Sequence, residues 1–293
     1  MILSNKLYHS KLLLFGEYTV TLGSGALATP LPTYGGRWTA STLVDNTASN
    51  LNFLADALKN DQTLSSIYDT YRFRDEIDQG LIFDSSIPQG YGLGSSGALV
   101  AALYDRFALN KTEDIPLLKK ILGSTENIFH GNSSGIDPLV SYLNVPVWIE
   151  SSGKITKIDK KLKCSGFFVV DTNLPRKTEP LVQWFKRKVN KHAAFKSGVT
   201  LLASINQLAI QSILDNDQQS LLAQMKQISM IQSDLFINLI PDDFRSLWKI
   251  GLDSEKYFMK ICGAGGGGMM LGYTQDRPFV YETFAAYNVT FTD

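Results

Sequence analysis

The chain has 293 residues, enough for one large domain or two modest ones, with 44% hydrophobic and 19% charged residues. Twenty-eight basic residues balance 28 acidic ones, so no global field draws a nucleic acid or a membrane surface, and an anion must be held by local geometry. The two cysteines, Cys164 and Cys262, and the three histidines, His9, His130 and His192, lack metal-ligand spacing. The N-terminal segment has no long apolar stretch of the signal-peptide kind, and no apolar run reads as long enough to span a bilayer, so a cytoplasmic protein is expected.

In chain order, the first third reads as strand-rich. Lys11–Phe15 is an apolar run, and Glu17–Leu22 continues it with β-branched and aromatic residues. Gly35-Gly36 reads as a turn, Arg37–Val44 as a further strand and Asn50–Lys59 as a helix. Leu81–Phe83 is a short strand that feeds a glycine-serine loop, Pro88–Ala98. Ala98–Leu109, apolar nearly all round, reads as a buried helix. A second helix is expected from Ile115 to Phe129 and a third from about Ile136. Val145–Glu150 and Lys154–Ile158 form a predicted hairpin around Ser152-Gly153. Gly166–Asp171 reads as a buried strand, Glu179 to about Leu239 as helical, and Tyr257–Ile261 and Met269–Tyr273 as strands around a second glycine run. A short helix and strand close the chain. The pattern is mixed α+β, with a mainly helical second part.

The loop Pro88-Gln89-Gly90-Tyr91-Gly92-Leu93-Gly94-Ser95-Ser96-Gly97-Ala98 lies between a strand and an apolar helix. Its spaced glycines let the backbone turn sharply. The first amides of the following helix have no partner inside it, and the helix dipole adds positive charge, so a phosphate suits the position. No lysine stands where a Walker loop needs one. Gly92-x-Gly94-x-x-Gly97 also matches a dinucleotide-binding pattern, although its context argues against that, and a plain packing turn stays open. In the second run, Gly263-Ala264-Gly265-Gly266-Gly267-Gly268, five of six residues are glycine. So many glycines between strands point to close approach of a ligand or another backbone, with a bulge or tight hairpin as the alternative. Taken singly, Asp137 and Glu126 read as ordinary helix acids and Lys11 as an edge-strand charge reaching water.

Four segments in order resemble the GHMP kinase family, most closely its mevalonate kinase branch. They are Lys11-x-x-Leu-x-Gly-Glu17, Pro88-x-x-x-Gly-Leu-Gly-Ser-Ser96, His130-Gly-Asn-Ser-Ser-Gly-Ile-Asp137 and Gly263–Gly268. The resemblance implies an α+β fold of two lobes, the first of the ribosomal protein S5 domain 2 type and the second helical and ferredoxin-like, with the active site in the cleft. It implies an ATP-binding lobe over 1–163 and a second lobe over 164–293. It further implies ATP and Mg2+ as cofactors, and phosphoryl transfer to a small alcohol, with mevalonate first among acceptors. A homodimer is compatible with it, and neither nucleic acid nor membrane is expected as a partner.

By the same resemblance, Asp137 and Lys11 are catalytic, and Pro88, Gly90, Gly92, Leu93, Gly94, Ser95, Ser96 and Gly97 hold the nucleotide. Ser96 and Glu126 hold the metal, and Glu17, Tyr18, His130, Gly263, Ala264 and Gly265 contact substrate. The chain departs from the family pattern in four places. His9-Ser10 replaces Pro-Gly, Tyr18 replaces His, Ser133 replaces Pro and Gly97 replaces Ala. None of these removes a reacting group. Other acceptors (phosphomevalonate, homoserine, a sugar), an ATP-dependent decarboxylase and a non-catalytic nucleotide-binding regulator remain as alternatives.

Overall fold

The computed structural model describes residues 2–41, 46–160, 162–176 and 178–292; the side chains of 46–49 and of His130 lie outside the description. The chain forms two compact units, one from 1–11, 30–88 and 93–145, the other from 12–29, 89–92 and 146–293. Strands β1 (Tyr8–Phe15) and β2 (Ala26–Ala40) contribute residues to both.

In the first unit, the later half of β2 pairs antiparallel with β3 (Leu81–Ser85), Trp38 opposite Phe83. Helices α1 (Asn46–Asn60), α2 (Thr70–Asp78), α3 (Ser95–Phe107), α4 (Ile115–His130) and α5 (Ile136–Leu143) complete it. Trp38 centres the core. Its ring meets Phe83 and Phe107 edge-on at 5.2 and 5.9 Å, and its indole N–H donates to the Ala102 carbonyl at 3.1 Å. Edge-to-face contacts and a satisfied donor are what a buried tryptophan needs. Asp114 caps α4 by accepting from the Leu117 amide at 2.8 Å, with a proline in the first turn.

In the second unit, the start of β2 pairs with β4 (Val147–Ile149), which forms a hairpin with β5 (Ile155–Lys157). A four-stranded antiparallel sheet runs in the order β7 (Tyr257–Ile261), β8 (Met269–Thr274), β6 (Phe167–Asp171), β9 (Val289–Phe291). Helices α6 (Thr178–Lys191), α7 (Ala193–Asp215), α8 (Gln218–Leu235), α9 (Asp242–Ser254) and α10 (Arg277–Thr283) complete this unit. Strands β6, β7 and β8 are apolar almost throughout and buried, as strands covered on both faces must be.

Four sequence-based expectations change. Glu17–Leu22 is not a strand. Gly16 at φ 113° and Tyr18 at φ 62° break the extended path, and Thr19–Leu22 winds into a 3-10 turn. Gly35-Gly36 is not a turn but lies within β2. These glycines make room for neighbours, since a Cβ at Gly35 would lie 2.8 Å from Leu7 Cγ and one at Gly36 would strike the Phe83 ring. The expected Arg37–Val44 strand ends at Ala40, and 42–44 lie outside the described residues. Finally, α7 is 23 residues long and apolar enough to cross a bilayer, against the expectation of no such run. It is nonetheless half buried in the fold, and its buried Asn206 donates to Thr19 Oγ1 at 3.1 Å, so it reads as a core helix.

Candidate active site

The glycine-serine loop follows β3 and ends at α3. Gly90, Gly92 and Gly94 all have left-handed backbone, φ 79°, 75° and 74°, which side-chain-bearing residues rarely adopt. Gly94 caps α3, and the Ala98 amide reaches back to its carbonyl at 3.0 Å. Leu93 is fully buried, and its carbonyl accepts from the Lys11 amide at 2.8 Å, which fastens β1 to the loop.

Within the first unit, Lys11 Nζ lies 2.8 Å from Asp137 Oδ1. Asp137 is in the first turn of α5. A Cβ at Gly94 would lie 3.3 Å from Asp137 Oδ2, so the carboxylate stands over the start of α3. Gly97, where the family pattern has Ala, lets α5 come this close, because a Cβ there would fall 2.8 Å from Asp137 C and from Pro138 N. Ser96 Oγ donates to Glu126 Oε1 at 2.8 Å, and Glu126 is buried near the end of α4. The Ser133 hydroxyl donates to the other Glu126 oxygen and accepts from the Gly135 amide at 2.9 Å. A Cβ at Gly123 would lie 3.2 Å from Gly135 Cα, so α4 and the turn before α5 touch through glycine. The fold thus gathers Lys11, Gly94, Ser96, Gly97, Glu126 and Asp137, which are scattered over more than a hundred positions in the chain. Among the described residues, no group of three or more His, Cys, Asp and Glu forms a metal cluster.

Within the second unit, every glycine of Gly263–Gly268 has positive φ, from 62° to 140°. The run is tied down by backbone and side-chain donors. Gly268 N donates to Leu174 O at 2.7 Å, Thr172 Oγ1 to Gly268 O at 2.7 Å, and Gly266 N to Leu239 O at 2.6 Å. A Cβ on Gly268 would lie 2.9 Å from Tyr91 Cα, so this run packs directly on the Gln89–Gly92 part of the first loop. Arg176 Nη1 donates to the Cys262 carbonyl at 2.6 Å, and its guanidinium fills the space a side chain at Gly92 or Gly263 would need.

Glu17 and Lys260 form a fully buried ion pair, Nζ to Oε1 2.5 Å, and Lys260 also donates to the Ile261 carbonyl at 2.9 Å. Tyr18 stacks on Phe185 at 4.4 Å and donates its hydroxyl to the Ala264 carbonyl at 2.7 Å. Burial raises its pKa well above the usual tyrosine range, so it stays a donor at any ordinary pH. Beside it is a cavity of about 180 Å³ lined by Leu13, Tyr18, Val20, Val182, Phe185 and Ala264. Gly263 and Ala264 border the same cavity; Gly265 accepts from Arg176 Nη1 at 3.4 Å through its carbonyl. The side chain of His130 lies outside the described residues.

Two neighbours of these residues were not anticipated from sequence, Arg176 and Lys260, and Ser133 stood out there only as a departure from the family pattern. Lys260 had a readable signal, a lone lysine inside the buried strand Tyr-Phe-Met-Lys-Ile, because such a charge needs an acid. Arg176 sits in a loop with no pattern to single it out.

Together these features define an α+β protein whose left-handed glycine loop opens a helix beneath a lysine–aspartate pair. A family model described as "GHMP kinases N terminal domain" matches residues 57–144. Mevalonate kinase of Arabidopsis thaliana is 29% identical over 212 residues, which cover 65% of this chain and 55% of that protein. The chain therefore spans about half the length of that curated relative. Among solved structures, L. major mevalonate kinase in complex with R-mevalonate superposes with a TM-score of 0.67 at 16% identity, over 98% of this chain and 95% of that one. Streptococcus pneumoniae phosphomevalonate kinase in complex with phosphomevalonate and AMPPNP superposes with a TM-score of 0.70 at 17% identity, over 99% of each. Residues 57–144 thus match the GHMP kinase N-terminal domain, and the chain as a whole has the α+β fold of the mevalonate and phosphomevalonate kinase structures.

Proposed function

We propose that the protein transfers the γ-phosphoryl group of ATP to the hydroxyl of a small alcohol, with mevalonate as the acceptor. The reading rests above all on the Lys11–Asp137 pair, 2.8 Å apart at the start of α3. The alcohol oxygen attacks the γ-phosphorus, its proton passes to the Asp137 carboxylate, and the bond to the bridging oxygen breaks to release ADP. The Lys11 ammonium holds Asp137 and offsets charge on the attacking oxygen. Such transfers depend chiefly on positioning and charge stabilisation. The amides of the loop and of the first turn of α3 receive the phosphate oxygens.

The residues present also fit magnesium, which takes hard oxygen donors and keeps water and phosphate oxygens as its other ligands. Ser96 Oγ and the buried Glu126 carboxylate are such donors and lie side by side. When bound, the metal neutralises phosphate charge. In the second unit, the Arg176 guanidinium adds a cation beside Gly92 and Gly263. Tyr18, Glu17, Gly263, Ala264 and Gly265 are proposed to shape the acceptor's surroundings. The hydroxyl of Tyr18 is already committed to Ala264, so this side chain offers the acceptor an apolar surface rather than a hydrogen bond.

The test is ADP release measured with mevalonate, phosphomevalonate, homoserine and galactose. Mevalonate should exceed each of the others in kcat/KM by about tenfold or more, the range that a few specific contacts can supply. Preference for another alcohol overturns the acceptor. ATP binding without turnover on any of them overturns the kinase reading. Carbon dioxide release would identify a decarboxylase instead.

A further inference from the structure

Glu126 is held from two sides. Ser96 donates to one carboxylate oxygen at 2.8 Å and Ser133 to the other. The Ser133 hydroxyl has a second task, since it accepts from the Gly135 amide at 2.9 Å, and Gly135 is the residue that caps α5. The Ser133 amide in turn donates to Asn127 Oδ1 at 2.5 Å, next to Glu126 in α4. One small side chain thus links the end of α4, which carries Glu126, to the cap of α5, whose second residue is Asp137. The family pattern has proline at this position, which has no hydroxyl to offer.

We propose that Ser133 is a positioning residue for the divalent cation of the metal–nucleotide complex. It fixes the Glu126 carboxylate against Ser96 and sets its spacing from Asp137. The proposal rests on the reading of Glu126 as a metal ligand. A carboxylate already fixed by two hydroxyls keeps its orientation, so it meets the cation at little cost in rearrangement. Partners that orient a metal ligand typically change metal affinity by about 10–100-fold when removed. A hydroxyl serving only the turn before α5 would affect loop order and leave the cation untouched.

The experiment measures Mn2+ binding to the enzyme with AMPPNP, by the loss of the free Mn2+ electron paramagnetic resonance signal, so no turnover is needed. Wild type is compared with S133A, S133T and E126Q. Mn2+ affinity should fall about tenfold in S133A and return to within about twofold of wild type in S133T, which keeps the hydroxyl. S133A binding Mn2+ within about twofold of wild type, with E126Q weakened, overturns the role of Ser133 while sparing the metal site. S133T behaving like S133A overturns it too, because the loss then follows from the loop rather than the hydroxyl. If E126Q binds Mn2+ as wild type does, the metal reading of Glu126 falls and the role of Ser133 falls with it.

Discussion

Lys260→Met tests the most deeply buried charge pair in the second unit. Lys260 and Glu17 are both fully buried, 2.5 Å apart, and they join the turn after β1 to the strand that leads into the second glycine run. Two charges taken out of water repay the loss of hydration only through each other and through added hydrogen bonds, here the bond from Lys260 to the Ile261 carbonyl. The methionine of the variant occupies a similar volume but leaves the carboxylate buried without its lysine. Removing one partner of such a pair typically costs about 3–5 kcal/mol, a large part of a total stability of about 5–15 kcal/mol. With a urea slope of about 2–3 kcal/mol/M, the unfolding midpoint should fall by roughly 1–2 M. The double variant Lys260→Met with Glu17→Gln removes both charges and should recover part of the loss, with an interaction energy of about 2–3 kcal/mol in the double-mutant cycle. Urea unfolding followed by tryptophan fluorescence and circular dichroism gives both quantities. Loss of less than about 1 kcal/mol in Lys260→Met, or strictly additive losses in the double variant, would falsify the reasoning.

Asp137→Asn should lower kcat by about 10²–10⁴-fold, the usual worth of a positioned base, with the KM for ATP nearly unchanged; steady-state kinetics on the best acceptor checks it, and near-normal turnover would exclude the assignment. Lys11→Met should cost a large part of turnover while equilibrium binding of a fluorescent ATP analogue stays close to wild type, whereas weakened nucleotide binding with normal kcat would contradict its placement beside Asp137. A third prediction concerns acid stability. Burial pushes the Asp105 carboxyl up, but hydrogen bonds from Lys111, Lys6 and Tyr8 outweigh it and hold its pKa at about 2. A carboxyl with a folded pKa below its unfolded value stabilises the fold above the unfolded value, near 4, and loses that contribution as pH falls towards 2. Asp105→Asn should therefore lower Tm clearly at pH 6, by an amount that shrinks between pH 4 and pH 2; a constant difference in calorimetric scans across that range would refute it.

What could be read from the sequence was whatever the chain encodes locally. The helix after the glycine-serine loop follows from its continuous apolar run, and α4 from Asp114 and the proline after it. The hairpin of β4 and β5 follows from Ser152-Gly153 between two strand-forming stretches. What escaped depends on partners far away. Gly35 and Gly36 look like a turn until Leu7 and Phe83 occupy the space beside them. The Glu17–Lys260 pair joins residues 243 positions apart, which no periodicity reveals. Helix α9 had signals that went unread: Pro241 before it, Asp242 and Asp243 in its first turn, and buried Phe244, Trp248 and Gly251 on one face. Asp137 shows how little one residue discloses. Its place in the first turn of α5 suits an ordinary dipole partner, and only Lys11 and Gly94 beside it distinguish it from one.

The departures from the family pattern can be weighed by what each side chain now touches. Gly97 replaces a methyl group for which the backbone of α5 leaves no space, so it is a packing exchange that brings Asp137 nearer the loop. Tyr18 spends its hydroxyl on Ala264 and its ring on Phe185, and so turns a polar position into an apolar wall. Ser133 adds a donor to the carboxylate proposed to bind metal. None of the three replaces a member of the Lys11–Asp137 pair. Lys11 is buried and Asp137 only partly exposed, so the pair is held by the packing around it and its geometry is intact. Divergence in function is therefore to be sought in the acceptor and in the grip on the metal. The first is where Tyr18, beside the apolar cavity, departs from the family pattern, and the second is where Ser133 does.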